Sequence, residues 1–250
     1  HSPPYGRQGA QLHNVRGPVT LTPDQVRRLL EEPIYSWDVS SLLSGIVDYL
    51  EFSEQNLAWQ RERDVRRAKD EAEALDFGPK DAHLLTQARE QIVESAELRF
   101  DIGLSQSVRY ASIVAFVTSV EWCMKLFVAR LAQPLPKKAK GKNEAVHVLE
   151  HLNTKIATPL SAQVAELQQV ITVRNCVVHA AGLVKDYQYE SDVRNAVAAL
   201  HGFSLSNANF IGDTVHVGAG AVDQMAREAL AWVPALDKEC SNNGTFQAAP

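Results

Sequence analysis

The sequence is poor in the residues and motifs that mark several common protein classes. Three of its 250 residues are cysteine (Cys123, Cys176 and Cys240), an odd number without the spacing of a metal site or a Cys-x-x-Cys redox motif. Two of them lie in apolar helical segments, so we expect a reduced chain and a cytoplasmic location. The absence of a Gly-rich phosphate loop and of a Gly-x-Ser-x-Gly motif argues against P-loop nucleotide hydrolases and α/β-hydrolases.

Net positive charge and long uncharged apolar runs are lacking as well. The formal net charge at pH 7 is −5, so any contact with nucleic acid would have to use local basic patches. The longest apolar segment, Tyr110–Leu131, is interrupted by Glu121 and Lys125. We therefore expect a central buried helix there and no membrane association. With 45% hydrophobic and 22% charged residues, the remaining composition is ordinary for a globular protein that buries a core.

The spacing of apolar residues predicts a mainly helical, all-α protein with one small β element late in the chain. We expect an irregular leader over residues 1–20, an N-terminal helical region over 21–105 and a helical domain over 106–250. The Gly78–Pro79 pair is expected to separate two charged helices. The expected elements are a short helix begun by Thr22 and Pro23, helices over 39–52, 54–75, 80–100, 108–131, 144–153, 161–181 and 190–202, a β-hairpin over 203–217 and an amphipathic helix over 220–236.

The segment Val173–Gly182, with the sequence VRNCVVHAAG, carries three hydrogen-bonding side chains at the end of an otherwise apolar helix. On a helical wheel Asn175 and His179 continue a polar stripe that begins two turns earlier, and Arg174 lies at its margin. A spacing of five residues separates Arg174 and His179 by roughly 140° around the helix. A straight helix therefore does not aim both at one point, and a second copy of the helix could supply the partner group.

The chemistry of these side chains suits a reaction on phosphate. We expect Gly182 to cap the helix, which places His179 in the last turn, where the helix dipole favours the imidazolium form. A histidine that exchanges protons near neutral pH suits general acid–base catalysis, and Arg174 could stabilise charge on a phosphate. Together they could cleave RNA without a metal. The structural alternative is that Arg174 is a surface ion-pair partner and His179 a helix-capping residue.

The segment Val170–Val184, VITVRNCVVHAAGLV, resembles the signature helix of the HEPN superfamily, in which Arg is followed after four to six residues by His, often with Asn directly after the Arg. Arg174, Asn175 and His179 match that pattern, and the order of expected elements over Val108–Val184 is similar. The resemblance implies an all-α bundle that dimerises, so that two motif helices form one composite cleft. It also implies a metal-independent endoribonuclease of a bacterial toxin–antitoxin or antiviral defence system.

The resemblance implies roles for particular residues. Arg174 and His179 would be the catalytic pair, and Asn175 would position them or the RNA. Glu121 is the candidate acidic residue from a neighbouring helix, and we expect it to pair with Arg174 or Lys125. The implied partners are an RNA substrate, a second copy of the chain and an antitoxin or sensor protein, with no metal or other cofactor. Some toxin members carry a tyrosine two residues after the histidine, where this chain has Ala181, so any role of that tyrosine is lost.

Two other readings of the same residues remain open. In the first, the chain is a non-catalytic HEPN-like module that binds a nucleotide or a partner through the same cleft. In the second, it is a helical scaffold in which the motif only caps the core.

Two further signals lie near the motif helix. The basic segment Lys137–Lys142 could hold RNA phosphates or be a solvated loop. His147 and His151 are spaced like half of a metal site, but Glu150 is misplaced for a His-Glu-x-x-His motif and a third ligand is not evident. We therefore expect no metal there.

Overall fold

Helices make up most of the chain, as the spacing of apolar residues predicts. The computed structural model describes residues 34–76, 82–207 and 212–247. The expected leader, the short helix at Thr22 and the Gly78–Pro79 pair lie outside these residues. Within them, the mainly all-α fold with one late β-hairpin is confirmed.

The elements follow in chain order. The first three helices are α1 (Ile34–Glu73), α2 (Ala82–Leu98) and α3 (Ser105–Arg130), and the π-helical turn Arg99–Leu104 joins α2 to α3. After a loop come α4 (Glu144–Asn153), α5 (Ser161–Ala180), a 3₁₀ turn (Val184–Asp186) and α6 (Glu190–Ala199). Strands β1 (Phe203–Ser206) and β2 (Thr214–Val217) form an antiparallel hairpin that pairs Phe203 with Val217, and α7 (Ala221–Asn242) follows.

Helix α1 is one continuous helix of 40 residues, so the expected division into two helices near residue 53 is wrong. The sequence becomes more polar there because the second half of the helix is less buried, and the helix itself is not interrupted. The first half buries an apolar face, formed by Val39, Leu43, Val47 and Leu50, whereas the second half is largely solvated and carries ion pairs such as Arg66–Glu62. Because the segment contains neither Pro nor a capping glycine, the helix continues through Ser53, whose hydroxyl donates to the carbonyl of Tyr49.

The expected gap between residues 100 and 108 is also wrong, because the π turn carries α2 directly into α3. The turn keeps its backbone hydrogen-bonded, with the N–H of Ser105 donating to the carbonyl of Phe100. Phe100 is buried, and Arg61 on α1 holds Asp101 of the turn through two hydrogen bonds of 2.8 and 2.9 Å. Packing and an ion pair thus stabilise a helical turn that apolar periodicity does not reveal.

Helix α3 is the centre of the fold and contacts α4, α5 and α7. Its inward side chains, among them Ile113, Val117, Val120 and Phe127, are fully buried. The helical stretch Leu84–Arg130 also contains an 18-residue window of mean hydropathy 1.6, which meets the length and composition of a membrane span. Half of that window is buried inside the protein, and the central helix of a water-soluble core meets the same criterion.

The hairpin is fixed to the start of α3 by side chains that bond to its backbone. The amide of Gln106 donates to the carbonyl of Val217 at 3.1 Å and accepts from its N–H at 2.9 Å. The Tyr110 hydroxyl donates to the carbonyl of Val215 at 2.5 Å. The N–H of Val215 donates in turn to the carbonyl of Gly182, directly after α5, at 2.9 Å. The hairpin therefore connects the start of α3 to the end of α5.

A buried ion pair fixes the opposite end of α3. Arg130 donates to the carboxylate of Asp237 on α7, and both side chains are buried. The guanidinium also lies over the ring of Phe246, 4.6 Å from its centroid. Burial raises the pKa of Asp237, and the charge of Arg130 opposes that rise.

Candidate functional site

Helix α5 presents the predicted polar stripe to solvent. Gln168 and His179 at the two ends of the stripe are exposed, and Thr172 and Asn175 between them are half-buried. The rows on the other side of the helix are buried, including Val170, Ile171, Val173 and Val177. Burial therefore follows the helical wheel except at Val178, which the wheel assigns to the apolar surface but which is 51% exposed. Arg174 lies between the two faces.

The guanidinium of Arg174 is held by one residue from α3 and one from its own helix. Its Nη2 donates to Oε1 of Glu121 at 2.8 Å, and its Nη1 donates to Oδ1 of Asn175 at 3.1 Å. Of the two expected partners of Glu121, Arg174 is the one that pairs with it. The side chains of Arg174 and Glu121 are 21% and 25% exposed, so the pair lies partly inside the protein, where charges interact more strongly than at a free surface.

One atom of Arg174 is left without a partner. Its Nε is buried and has no hydrogen-bond partner among the described residues. A buried donor without a partner costs roughly 1–3 kcal/mol.

Asn143 is part of this cluster, although the sequence did not single it out. Its Nδ2 donates to Oε1 of Glu121 at 3.2 Å, on the same oxygen that accepts from Arg174. Its Oδ1 accepts from the N–H groups of Ala145 and Val146 and caps α4. An asparagine directly before Glu144 is a recognisable N-cap signal, but the contact with Glu121, 22 residues away, depends on the tertiary fold.

His179 and Arg174 do not meet within one chain. His179 lies exposed in the last turn of α5, and it has no hydrogen-bond or ion-pair partner in the described part of the chain. Arg174 is directed to Glu121 on α3. Within the part of the chain that the structure describes, the imidazole is therefore exposed and bonded to no other group.

The end of α5 differs from the sequence expectation by one residue. Ala181, and not Gly182, is the C-cap, and it adopts the left-handed conformation with φ 50°. Its N–H and that of Gly182 both donate to the carbonyl of Cys176, which closes the helix. Gly182 follows with φ 80° and packs against the ring of Tyr110. The expected glycine cap is therefore wrong, because the chain uses alanine at a position where glycine is the usual residue.

The cysteine of the motif helix is buried as a thiol. Cys176 is fully buried, and burial raises the pKa of its thiol to about 11. The other two cysteines are also buried, and none of the three forms a disulfide.

The basic loop before α4 divides into paired and free lysines. Lys138 bonds to Glu144 at 2.8 Å, and Lys142 bonds to Glu150. Lys137 and Lys140 are exposed and have no ion-pair partner among the described residues. Two free ammonium groups thus lie on the loop that leads into Asn143, where they are available to phosphate groups.

The two histidines on α4, His147 and His151, have different surroundings. The Nε2 of His147 lies 2.9 Å from the carbonyl of Pro136, which ties the basic loop to the helix. His151 lies one turn later, and burial lowers its pKa. Among residues 34–76, 82–207 and 212–247, no group of three or more His, Cys, Asp or Glu side chains is arranged to hold a metal ion.

A groove of about 440 Å³ opens between α3 and α4 beside this cluster. Met124, Val128 and Val148 form its apolar walls, and Glu121 and Lys125 lie at its edge. Its volume falls within the range of roughly 300–1,000 Å³ that is typical of small-ligand pockets.

The exposed faces of the two central helices carry little charge. Apart from His179, the exposed residues of α5 are uncharged, and Val178 is 51% exposed. On α3 the only charged residue in the exposed set is Lys125, and Trp122 is 56% exposed. A second helix could cover such faces without removing many charges from water.

Comparison of the chain with protein-family models, with curated proteins and with solved structures finds no match in any of the three. The HEPN resemblance therefore depends on the sequence motif of this chain alone.

Proposed function

We propose that the chain is a metal-independent endoribonuclease of HEPN type that acts as a homodimer with a composite site. The observation that carries this proposal is the way Arg174 is held. Glu121 and Asn175 fix its guanidinium in a partly buried position, at the edge of a helix face that ends in His179, which is exposed and has no partner among the described residues. A toxin or antiviral role remains a prediction from the resemblance.

The side chains supply the functions that RNA cleavage needs. One imidazole takes the proton of the ribose 2′-OH as its oxygen attacks the phosphorus, and the bond to the 5′ oxygen breaks as that oxygen takes a proton from a water molecule. The hydroxide that remains takes the proton from the imidazolium, which restores the base. The products are a 2′,3′-cyclic phosphate and a 5′-hydroxyl. Arg174 stabilises the negative charge that develops on the phosphate oxygens, while Asn175 and Glu121 keep its donors in place.

A dimer resolves the separation of the two motif residues. Because Arg174 and His179 point in different directions on one helix, the arginine of one copy would act with the histidine of the other. The weakly charged exposed faces of α3 and α5 favour such an arrangement, since covering them removes few charges from water. In a symmetric dimer each contact occurs twice, which gives two equivalent composite sites.

The test is cleavage of mixed-sequence RNA in the presence of EDTA. We expect the wild-type protein to cleave, and Arg174→Ala and His179→Ala to lose about 100-fold or more in rate, since a positioned acid or base contributes roughly 10²–10⁴-fold. Arg67→Ala and His201→Ala are matched controls, because both side chains are exposed and lie outside the cluster. Unchanged rates in the two motif variants would refute the proposal.

Mixing the two inactive variants tests the composite site directly. Random exchange of subunits makes half of the dimers mixed, and each mixed dimer has one of its two sites intact, so we expect roughly a quarter of the wild-type rate to return. A site within one chain would give no recovery. Light scattering on the same samples determines the oligomeric state, and a strict monomer would rule out the composite site.

A second candidate function is a non-catalytic module that binds a nucleotide. The groove beside Glu121 favours it, because it has apolar walls for a base and charged residues at its edge. This alternative predicts that RNA stays intact and that the wild-type protein binds nucleotides, with Glu121→Ala and Arg174→Ala weakening the binding.

A further inference from the structure

We propose that Asn143 is a positioning residue for Arg174 and acts on it through Glu121. This inference rests on the proposed function, because it gives Asn143 a part in the reaction at Arg174. The two ends of the Asn143 side chain have different partners. Its Oδ1 accepts from the N–H groups of Ala145 at 2.8 Å and Val146 at 3.4 Å, and its Nδ2 donates to Glu121 Oε1 at 3.2 Å.

The neighbours of Asn143 determine the orientation of its amide. An amide rotated by half a turn would place its NH₂ group against two backbone N–H donors and its oxygen against the carboxylate of Glu121. Both contacts would then be repulsive. The helix cap and the carboxylate therefore select the same orientation, and the cap holds Nδ2 toward Glu121.

Two donors converge on one oxygen of Glu121. Oε1 accepts from Nδ2 of Asn143 on one side and from Nη2 of Arg174 on the other. A carboxylate held from two elements is less free to rotate than one held by the arginine alone. Without the donor on Asn143, Arg174 would keep its hydrogen bond to Asn175, but the carboxylate of Glu121 could rotate away from it. The position of the guanidinium would then be less well defined.

Ion pairs hold the loop before Asn143 against α4, so the Nδ2 donor of Asn143 has a fixed position. Lys138 pairs with Glu144, and Lys142 pairs with Glu150, which joins the basic loop before the cap to the helix at two points. Asn143 itself is half-buried. A group that directs a reacting side chain needs this support from its own neighbours.

Two substitutions separate the positioning role from the capping role. Asn143→Ser keeps an oxygen for the N-cap, where Asn, Asp and Ser are about equally favourable, but its shorter side chain does not reach Glu121. Asn143→Asp also keeps the cap and places a second carboxylate against Glu121. If Asn143 only caps α4, Asn143→Ser should behave as wild type in every measurement.

We expect Asn143→Ser to lower kcat for RNA cleavage about 10-fold with little change in KM, since misdirection of a catalytic group by about 1 Å can cost up to roughly 100-fold. Asn143→Asp should lower kcat further and also lower the urea unfolding midpoint, because its carboxylate repels that of Glu121, whereas the midpoint of Asn143→Ser should stay near that of the wild type. Asn153→Ser is the matched control: Asn153 lies at the other end of α4 and bonds to the N–H of Leu160. Its kcat should not change.

A double substitution shows whether the effect passes through Glu121. In single-turnover cleavage, Asn143→Ser should reduce the rate of the wild type but cause no further reduction in Glu121→Ala, which lacks the accepting oxygen. An equal reduction in both backgrounds would overturn the inference, as would an unchanged kcat in Asn143→Ser. Wild-type protein that cleaves no RNA would overturn the proposed function, and this inference with it.

Discussion

Replacing Ala181 by glycine should make the protein more stable, although it removes a methyl group. Ala181 caps α5 with φ 50°, in the left-handed region where a Cβ atom approaches the following carbonyl oxygen. Glycine has no Cβ and adopts this conformation without strain. The substitution leaves the side chains of Arg174 and His179 in place, so we expect stability to change while any RNA cleavage does not.

The magnitude follows from two opposing contributions. Left-handed backbone costs an L-residue roughly 1–2 kcal/mol, which glycine would recover. Glycine also makes the unfolded chain more flexible, which opposes folding by roughly 0.5–1 kcal/mol. We therefore expect a net gain of about 0.5–1 kcal/mol in the free energy of unfolding. In a chain of this length that corresponds to a rise of about 1–4 °C in Tm.

Urea unfolding followed by circular dichroism measures this difference, with Ala180→Gly as the matched control. Ala180 is the last residue of α5 and does not have a positive φ, so the same chemical change there should lower stability by roughly 0.5–1 kcal/mol. The two substitutions at neighbouring positions thus have opposite expected signs. A loss of stability in Ala181→Gly would refute the assigned helix end.

Three further predictions concern the contacts that Tyr110 makes near the start of α3 and Arg130 makes at its end. Gly182→Ala should lower the free energy of unfolding by about 2 kcal/mol or more, because φ is 80° there and a Cβ would overlap the Tyr110 hydroxyl. Urea unfolding measures this loss of stability. Burial raises the pKa of Tyr110 from its usual 10 to about 12, so the stability that the protonated phenol contributes is complete below pH 10 and is lost as pH rises through 12. Tyr110→Phe should therefore lose less stability than the wild type between pH 9 and pH 11 in urea unfolding. Arg130→Leu leaves the buried Asp237 without its partner and should cost about 3–5 kcal/mol in the same assay, and unchanged stability would contradict the buried pair.

Most of the helices could be predicted because local signals mark their ends. The bounds of α4 and the start of α5 agree with the sequence, since Asn143 caps one helix and Pro159 shortly precedes the other. The errors arose where tertiary packing outweighs local signals. Helix α1 continues through Ser53 although its composition changes there, and buried Phe100 supports a π turn that has no distinct sequence pattern.

The candidate site was only partly predictable for the same reason. The helical wheel located the polar stripe, and the HEPN resemblance suggested Glu121 as an acidic residue that pairs with Arg174 or Lys125. The role of Asn143 depends on how the loop approaches α3, and spacing along the sequence carries no information on that approach. The cap at Ala181 was missed because alanine rarely adopts a positive φ, which made Gly182 the better choice from sequence alone.

The pairing of the hairpin with the end of α5 has a consequence for the order in which the protein forms during translation. The carbonyl of Gly182 and the N–H of Val184 bond to Val215 and Asp213, which are made about thirty residues later. A nascent chain can form α5 from local hydrogen bonds, but the end that carries His179 is not anchored until the hairpin has left the ribosome. The ribosome therefore finishes translating the motif well before the motif helix is held in its final position.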